Sequence, residues 1–484
     1  MSARSNSPSK AVPVSTARRP TRTGAALLSL VSLVVGSCGG TDVVAVPGVA
    51  DPATPTGPVA ASAPAFVPVD AAPTSSPVVT HDAGPVSTVA SETVLDTIAR
   101  PESTGISTGL STGSSAGNAA GAVVLPQVSG WPAFDLHLQT LLAGGSSAVS
   151  ATVLRDGEIV HEVAMGNRLL DGSDPVTIGD RYRVASISKV ITAITMLQLV
   201  EAGLIDLDAP VGERLAARVG VTATSDVARI TLRQLLTHRS GIGQYEDLMF
   251  RRQVESCPAA GAMALGRGLE RLPGTTFRYS NVNFCLLGEL IEDVTGERYV
   301  DVVARELLTP LGLDGMRLAG TFDLGDGDVE HDSDAGRNYM EVLDGAGSWI
   351  ASSTDVAVII DSLDLTTPGW KPLGPAALGA MTTITVDPEP PATSPGESPG
   401  ATSSVPPPTV VPVPPTSGYG MGLMIFGPGS YGHTGTLEST SAMTVRRPDG
   451  ITWAITVSGD EPGSGRDLFA VIDAAFRYAG VLDP

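Results

Sequence analysis

The chain of 484 residues is poor in lysine and cysteine, and it lacks the common motifs that bind metals or phosphate. Only three of its 30 basic residues are lysines, and it has three cysteines and six histidines. The histidines are scattered without a His-Glu-x-x-His pattern, and no Gly-x-x-x-x-Gly-Lys loop occurs, so we predict no metal and no other cofactor. The formal net charge of −21 at pH 7 argues against binding to nucleic acid or to an anionic membrane surface.

Residues 1–37 have the composition of an export signal. They hold five basic residues and no acidic ones, with an apolar stretch over 25–35 that is too short to span a bilayer. The stretch ends in Val35-Gly36-Ser37-Cys38, which resembles a bacterial lipobox. We therefore predict that Cys38 is acylated and anchors the chain on the extracellular side of a bacterial cell membrane. The alternative is a secreted protein with an incidental cysteine. Loss of the signal would take the net charge to −26, because five positive charges leave with it.

Two low-complexity segments surround and interrupt what we predict to be one folded domain. Residues 38–125 are rich in Ala, Pro, Val, Ser, Thr and Gly without lasting periodicity, which is typical of a disordered tether. Residues 126–484 are predicted to be the domain, with a proline-rich insert at 383–417 that cannot be a helix or a strand. About 320 residues remain without these segments, enough for one large α+β domain.

Hydrophobic patterns predict the elements of this domain. Strands are expected at Ala148–Leu154 and Glu158–Ala164 around an Asp-Gly turn, with a second hairpin at Ser441–Arg446 and Ile451–Ser458. Helices are expected after Trp131, from Lys189 to Gly203, and over Leu232–His238, Phe284–Val294, 299–308 and Asp467–Ala479.

The two cysteines of the domain, Cys257 and Cys285, form an even pair. In an exported protein such a pair is typical of a disulfide, and the alternative is two buried thiols. We favour the disulfide, because a free thiol outside the cytoplasm is open to oxidation.

One lysine of the domain stands in the tetrad Ser186-Ile187-Ser188-Lys189, before an apolar stretch typical of a buried helix. A helix brings residues i and i+3 onto one face, so the serine hydroxyl would lie beside the amine as a nucleophile with its own base. Burial and the positive end of the helix dipole would both favour the neutral amine. The tetrad alone is a weak signal, since Ser7-Pro8-Ser9-Lys10 repeats the pattern within the predicted export signal. The alternative for Lys189 is a surface lysine at a helix start.

Two further motifs follow the tetrad in order: Tyr279-Ser280-Asn281, and His433-Thr434-Gly435 in a strand-like stretch. Together with Tyr182-Arg183-Val184-Ala185, 235–241 and 309–313, they resemble the serine β-lactamase and penicillin-binding-protein superfamily over about residues 130–480. The tyrosine of the second motif is similar to that of class C β-lactamases, related esterases and D-alanyl-D-alanine carboxypeptidases. The resemblance implies an α+β fold, with an antiparallel sheet flanked by helices and an all-helical region.

The resemblance also implies a nucleophile and its proton carriers. Ser186 would attack a carbonyl and form an acyl-enzyme, while Lys189 and Tyr279 would share its proton. Which of the two is the base stays open. Asn281 would hydrogen-bond either Lys189 or the substrate amide.

The resemblance also implies roles for the third motif. His433 would line the site and help to hold Tyr279, next to Thr434. Gly435 would leave room for substrate to lie along the strand. The backbone N–H groups of Ser186 and Thr436 would form the oxyanion hole.

The sequence departs from the family where the substrate's carboxylate would bind. His-Thr-Gly carboxypeptidases carry an arginine on the strand before the third motif, and Tyr419–Tyr431 contains neither Arg nor Lys. His433 would add only partial charge near neutral pH, and we expect Glu438 to repel an anionic substrate. These departures favour neutral esters.

Three functions follow from these observations. The first is a serine hydrolase that acts through an acyl-enzyme on D-alanyl-D-alanine-like peptides, amides or β-lactams outside the cytoplasm. The alternatives are an esterase of the same family on small neutral esters and a non-catalytic cell-surface binding protein, against which the complete set of motifs argues. No nucleic-acid partner is predicted, while protein partners and oligomeric state stay open.

Overall fold

The computed structural model describes residues 129–251, 253–334, 336–386, 417–459 and 464–481. The predicted signal at 1–37, the acylation site Cys38, the tether at 38–125 and nearly all of the insert at 383–417 lie outside these ranges and stay predictions. No helix within the ranges is long and apolar enough to cross a membrane.

The strands of the described ranges build two antiparallel sheets. They are β1 (Ser146–Arg155), β2 (Glu158–Gly166), β3 (Tyr182–Arg183), β4 (Arg317–Leu318), β5 (Trp349–Ala351), β6 (Gly418–Tyr419), β7 (Met424–Gly427), β8 (Ser430–Leu437), β9 (Thr440–Arg446) and β10 (Ile451–Gly459). The main sheet has the order β2-β1-β10-β9-β8-β7-β6, and the small sheet has the order β3-β5-β4. Since β1 pairs with β10 along its whole length, the main sheet joins the start of the domain to its end.

The helices of these ranges fall into two groups, one at the chain ends of the domain and one between them. They are α1 (Trp131–Gly144), α2 (Ser188–Glu201), α3 (Gly212–Arg218), α4 (Leu232–Leu236), α5 (Glu246–Phe250), α6 (Cys257–Arg267), α7 (Asn281–Thr295), α8 (Tyr299–Val303), α9 (Thr309–Leu311), α10 (Tyr339–Leu343), α11 (Ser353–Asp361), α12 (Pro375–Thr382) and α13 (Asp467–Ala479).

Alternate residues of the sheet face the two groups of helices. On one face, Phe134 of α1 and Phe476 of α13 pack with Val153 and Trp453 in one buried cluster. On the other face, Thr152 hydrogen-bonds the side chain of Ser353 in α11 at 2.9 Å, and a larger apolar core continues through α2, α4, α6 and α7. The sheet is therefore buried on both faces, and the predicted α+β fold is confirmed.

Most sequence-predicted elements are confirmed, with shifted ends. The helix predicted from Phe284 begins at Asn281, so the second motif lies at its first turn. The helix predicted to reach His238 ends at Leu236, because His238 adopts a positive φ of 56°. The helix over 299–308 continues through a π-helical turn into α9. A disulfide joins Cys257 to Cys285, as favoured from the sequence.

Candidate active site

Ser186 lies in a short 3₁₀ turn, Ala185–Ile187, that leads directly into α2. The residue before it, Ala185, has a positive φ of 49°, a conformation that L-residues rarely adopt. The turn leaves Ser186 half-buried while its neighbours on both sides are buried. The serine side chain is thus presented at the edge of the helical core and lines a cavity.

Lys189 lies one helical turn further on and is 0% exposed. Its Nζ is 3.0 Å from Ser186 Oγ and donates to the carbonyl oxygen of Ala346 at 2.6 Å. Within the described ranges no carboxylate forms a salt bridge with the amine. Burial therefore lowers the pKa of Lys189 well below its ordinary value. The prediction of a buried amine is confirmed, and the alternative of a surface lysine is wrong; the direction of the pKa shift favours the neutral form.

Tyr279 completes the group around the serine. Its hydroxyl hydrogen-bonds Ser186, and the Lys189 amine lies 5.1 Å from the centre of its ring. Burial raises the pKa of Tyr279 above its ordinary value, and the hydrogen bond from Ser186 offsets only part of the rise. The site therefore favours a protonated phenol beside a neutral amine, rather than a phenolate beside an ammonium.

Asn281 does not bond to Lys189, contrary to one of its two predicted roles. Its Oδ1 atom is buried and has no hydrogen-bond partner among the residues that the structure describes. An unpartnered buried acceptor is costly unless a ligand completes it. The second predicted role, a bond to the substrate amide, therefore stays a prediction.

His433 lines the cavity but does not bond to Tyr279. Its Nδ1 donates to the carbonyl oxygen of Thr434 at 2.6 Å, so its Nε2 accepts from Tyr419 at 3.1 Å. The ring of Tyr419 in turn packs edge-to-face on Tyr279, with centroids 6.1 Å apart. Burial is the main cause that lowers the pKa of His433 to about 3, with the nearby Lys189 as a second cause. The expected partial charge near neutral pH is therefore wrong, and Tyr419, which bonds to His433, is the residue that packs against Tyr279.

Gly435 has a different role from the one predicted. A Cβ atom there would lie 2.2 Å from the carbonyl oxygen of Val184, so the glycine allows β8 to pack on the segment that carries Ser186. The space beside Gly435 is filled by protein, and the expectation that it leaves room for substrate is wrong. The hydroxyl of the next residue, Thr436, accepts from the Gly465 amide at 2.8 Å. This bond ties the strand to the segment before α13.

No role for His238 was predicted from the sequence, although the fold places it against the site. Its ring lies 4.3 Å from that of Tyr279 and 4.9 Å from that of Tyr419. Its Nδ1 accepts from the Ser280 backbone N–H at 3.2 Å, so the ring fixes the start of α7. Burial is the main cause that lowers its pKa well below the ordinary value, and the nearby Lys189 and His433 add to the shift. Its place in the stretch 235–241 was the only signal available.

A cavity of about 980 Å³ opens beside Ser186. Its lining includes Tyr279, Tyr419, His433, Thr434 and Thr436, together with apolar side chains and the ends of the insert. Arg466, which precedes α13, also lines it. No carboxylate of the described ranges pairs with this guanidinium. The site therefore has a cation in its lining, although the strand before the third motif supplies none.

Glu438 does not carry a free charge into the site. It forms an ion pair with Arg337, and its Oε2 accepts from the backbone N–H of Asp334 at 3.3 Å. Both Glu438 and Arg337 line a second cavity of about 350 Å³, which meets the first at Thr436. The expected repulsion of an anionic substrate is therefore weakened by the paired cation.

One group of potential metal ligands occurs within the described ranges. Ligand atoms of Cys257, Glu289 and Asp344 lie within 4.8 Å of one another. The sulfur of Cys257 is bonded in the disulfide, and Glu289 pairs with Arg218 at 2.8 Å. Two of the three ligands are thus occupied by other partners, so the group does not fit a metal ion.

Comparison with known proteins agrees with this arrangement. A family model described as "Beta-lactamase" matches residues 134–476. Penicillin-binding protein 4 of Amycolatopsis lactamdurans is 32% identical over 170 residues, which make up 33% of this chain and 42% of that protein. The chain spans less than half the length of the curated relatives that it matches.

Solved structures share the fold. The octameric penicillin-binding protein homologue from Pyrococcus abyssi has a TM-score of 0.56 at 20% identity, covering 72% of this chain and 77% of its own. A D-stereospecific amidohydrolase from Streptomyces sp. has a TM-score of 0.52 at 26% identity, covering 71% of this chain and 98% of its own.

Proposed function

The chain belongs to the β-lactamase family and is a serine hydrolase, and from that premise we propose that it cleaves amide bonds of peptides or β-lactams through an acyl-enzyme on Ser186. The observation that carries the proposal is the buried amine of Lys189, 3.0 Å from Ser186 Oγ, with the Tyr279 hydroxyl on the same oxygen. A neutral amine can accept the serine proton, and a protonated phenol can donate one.

The direction of the pKa shifts supports Lys189 as the base of acylation. Ser186 Oγ attacks the substrate carbonyl, its proton passes to the Lys189 amine, and the carbonyl electron pair moves onto oxygen. When the C–N bond breaks, Tyr279 supplies a proton to the leaving nitrogen and regains one from the Lys189 ammonium. Water then attacks the ester carbonyl and gives a proton to the Lys189 amine, the C–Oγ bond breaks, and that proton passes to Ser186 Oγ.

The oxyanion would form between the backbone N–H groups of Ser186 and Thr436. The close packing of Gly435 on Val184 supports this assignment, because it holds the two segments together. Donors of this kind typically contribute about 3–4 kcal/mol to lowering the barrier. Asn281, whose Oδ1 lacks a partner within the described ranges, would accept from the substrate amide.

Arg466 supports an anionic substrate over a neutral ester. Its guanidinium lies at the cavity that also contains Ser186, where it could pair with the carboxylate of a peptide or a β-lactam. The solved relative named as a D-stereospecific amidohydrolase, and the relative named as a penicillin-binding protein, support amides of D-amino acids. Hydrolysis of neutral esters is the second candidate, supported by the apolar part of the cavity lining.

The leader supports action outside the cytoplasm. A signal at 1–37, acylation of Cys38 and a tether at 38–125 would place the domain on the outer side of a bacterial membrane. Globomycin treatment, or palmitate labelling of a Cys38→Ala variant, would test the anchor directly. Unchanged palmitate labelling of the variant would contradict it.

Labelling of the full chain with a fluorophosphonate and a fluorescent penicillin tests the nucleophile. We expect both reagents to label the wild type, and neither to label Ser186→Ala. Ser188→Ala is the matched control, since its hydroxyl instead accepts from the Trp349 backbone N–H. Labelled Ser186→Ala would defeat the assignment, and no labelling of the wild type would favour a binding protein. Turnover of a D-Ala-D-Ala peptide, nitrocefin and a p-nitrophenyl ester then separates amide from ester hydrolysis.

A further inference from the structure

The cavity beside Ser186 has a wall of exposed apolar side chains. Phe277 and Phe469 line it although 39% and 43% of their surfaces are exposed, together with Met424, Phe426 and Ile384. Exposed aromatic side chains that converge on one cavity are typical of a binding site for an apolar group. The methyl side chain of an alanine residue in a substrate would contact only a small part of this wall.

One residue of the apolar wall, Phe469, lies on α13, the helix that Arg466 precedes. Arg466 precedes the first residue of α13, and Phe469 follows three positions later, with its backbone N–H bonded to the Arg466 carbonyl at 3.2 Å. This spacing places both residues on one face of the helix. The ring of Phe426 lies 6.2 Å from that of Phe469 and extends the wall onto β7. A ligand that pairs with Arg466 would therefore hold its other substituent against these rings.

Arg466, Phe469 and Phe426 line the same cavity as Ser186 and Tyr279. Burial raises the pKa of Tyr279, and the charge of Arg466 is close enough to offset part of that rise. The same charge also helps to lower the pKa of His433. Because Tyr279 would protonate the departing nitrogen, the residue that departs would lie on the Tyr279 side of the cavity, which Arg466 also lines.

We propose that this cavity binds a leaving-group residue that carries a free carboxylate and a large apolar side chain. The proposal rests on the proposed function and names its substrate class: peptides that end in a residue such as leucine or phenylalanine, rather than alanine. Arg466 would pair with the carboxylate, and Phe469 and Phe426 would contact the side chain. Hydrolysis of the last peptide bond would release that residue as a free amino acid.

A peptide series tests the proposal with the full chain. Acyl-dipeptides ending in Ala, Leu or Phe are compared in the D and L series, as free acids and as C-terminal amides. In the series that is hydrolysed, we expect kcat/KM for Leu or Phe to exceed that for Ala by about tenfold or more. We expect the free acids to exceed the amides by about tenfold or more, because a charged pair is lost in the amide.

Two variants separate the parts of the subsite. Phe469→Ala should lower the Phe-to-Ala ratio of kcat/KM by about threefold or more, and Arg466→Gln should lower the acid-to-amide ratio by about tenfold. Tyr478→Ala is the matched control, since this aromatic residue of α13 is 58% exposed and does not line the cavity. It should leave both ratios unchanged.

The outcomes distinguish this proposal from the proposed function. Equal or better turnover of the Ala-terminated peptide, or an unchanged ratio in Phe469→Ala, would overturn the subsite while fluorophosphonate labelling of Ser186 still supports the hydrolase. A wild type that no reagent acylates would overturn both.

Discussion

Replacement of Lys189 by methionine should stabilise the fold near neutral pH while it abolishes acylation. The amine is fully buried, and its polar neighbours are Ser186 Oγ and the Ala346 carbonyl oxygen. Burial lowers its pKa well below the ordinary value of 10.5. The folded protein therefore holds this lysine without its proton at a pH where the unfolded chain would bind one.

The magnitude follows from proton linkage. Each pH unit between the working pH and the unfolded value of 10.5 costs about 1.36 kcal/mol as long as the folded amine stays neutral. At about pH 7.5 this cost is at most roughly 4 kcal/mol, the limit for an amine that is fully neutral in the folded protein. Methionine has a similar shape and removes the cost, but it also leaves the Ala346 carbonyl without its donor, at about 1–3 kcal/mol. We expect Lys189→Met to be more stable by roughly 1–3 kcal/mol at that pH.

A buried neutral amine at Lys189 predicts a particular sign for the pH dependence of the stability. Because the unfolded state binds more protons than the folded state below 10.5, wild-type stability rises as the pH rises toward that value. The advantage of Lys189→Met should therefore shrink with rising pH and vanish by about pH 10. A variant that is less stable at every pH, or an advantage independent of pH, would refute the neutral buried amine.

Urea unfolding across this pH range measures the effect. Lys371→Met is the matched control, because this second lysine of the described ranges is only partly buried and donates to Thr367 Oγ1 at 2.7 Å. Replacing Lys371 should change the free energy of unfolding little, and the change should not vary with pH as it does for Lys189→Met. Mass spectrometry after incubation with a fluorophosphonate checks that Lys189→Met is no longer acylated.

Three further predictions concern residues around the site. Gly435→Ala should lower kcat by about 10²-fold or more in steady-state kinetics, because the new Cβ would lie 2.2 Å from the carbonyl oxygen of Val184. Gly427→Ala is the control and should keep the wild-type rate, since the space around its Cβ is open. Equal rates in both variants would contradict this prediction. Replacing Cys257 and Cys285 together should cost about 3–4 kcal/mol in urea unfolding, as expected for a separation of 28 residues, and an unchanged midpoint would speak against the bond. Burial, with the nearby acidic groups, raises the pKa of Asp344 to about 7, so the stability of the fold falls as the pH rises from the ordinary pKa of 3.8 to about 7. Asp344→Asn should therefore raise the melting temperature at a pH above about 7. An unchanged melting temperature in that pH range would contradict the shift.

The sequence was most informative where function depends on neighbours along the chain. Ser186 and Lys189 share a helix face, and hairpin and helix periods depend on short windows, so local pattern was sufficient for them. The predicted fold class, the closing helix over Asp467–Ala479 and the serine hydrolase family were confirmed on that basis.

The residues that the sequence missed lie far along the chain from the groups they contact. Tyr419 and His238 join Tyr279 from separate elements, and Arg466 reaches the cavity from the start of the last helix. No local pattern distinguishes them from ordinary aromatic or basic residues. The role of Gly435 was misassigned for the same reason, because the atom that excludes a Cβ belongs to Val184 in another element.

The geometry of the proposed oxyanion hole would depend on how β8 is held against the turn that carries Ser186. The buried guanidinium of Arg183 donates to Thr440 Oγ1 at 2.9 Å and to the carbonyl oxygen of Glu438, so it fixes the turn between β8 and β9. The Val184 carbonyl excludes any Cβ at Gly435 and sets the distance between the two segments. Arg183 and Val184, which lie shortly before Ser186, thus contact the chain on either side of Thr436. Since the two N–H donors come from different segments, their separation is set by these contacts rather than by either segment alone, and a loosened contact should lower kcat more than it raises KM.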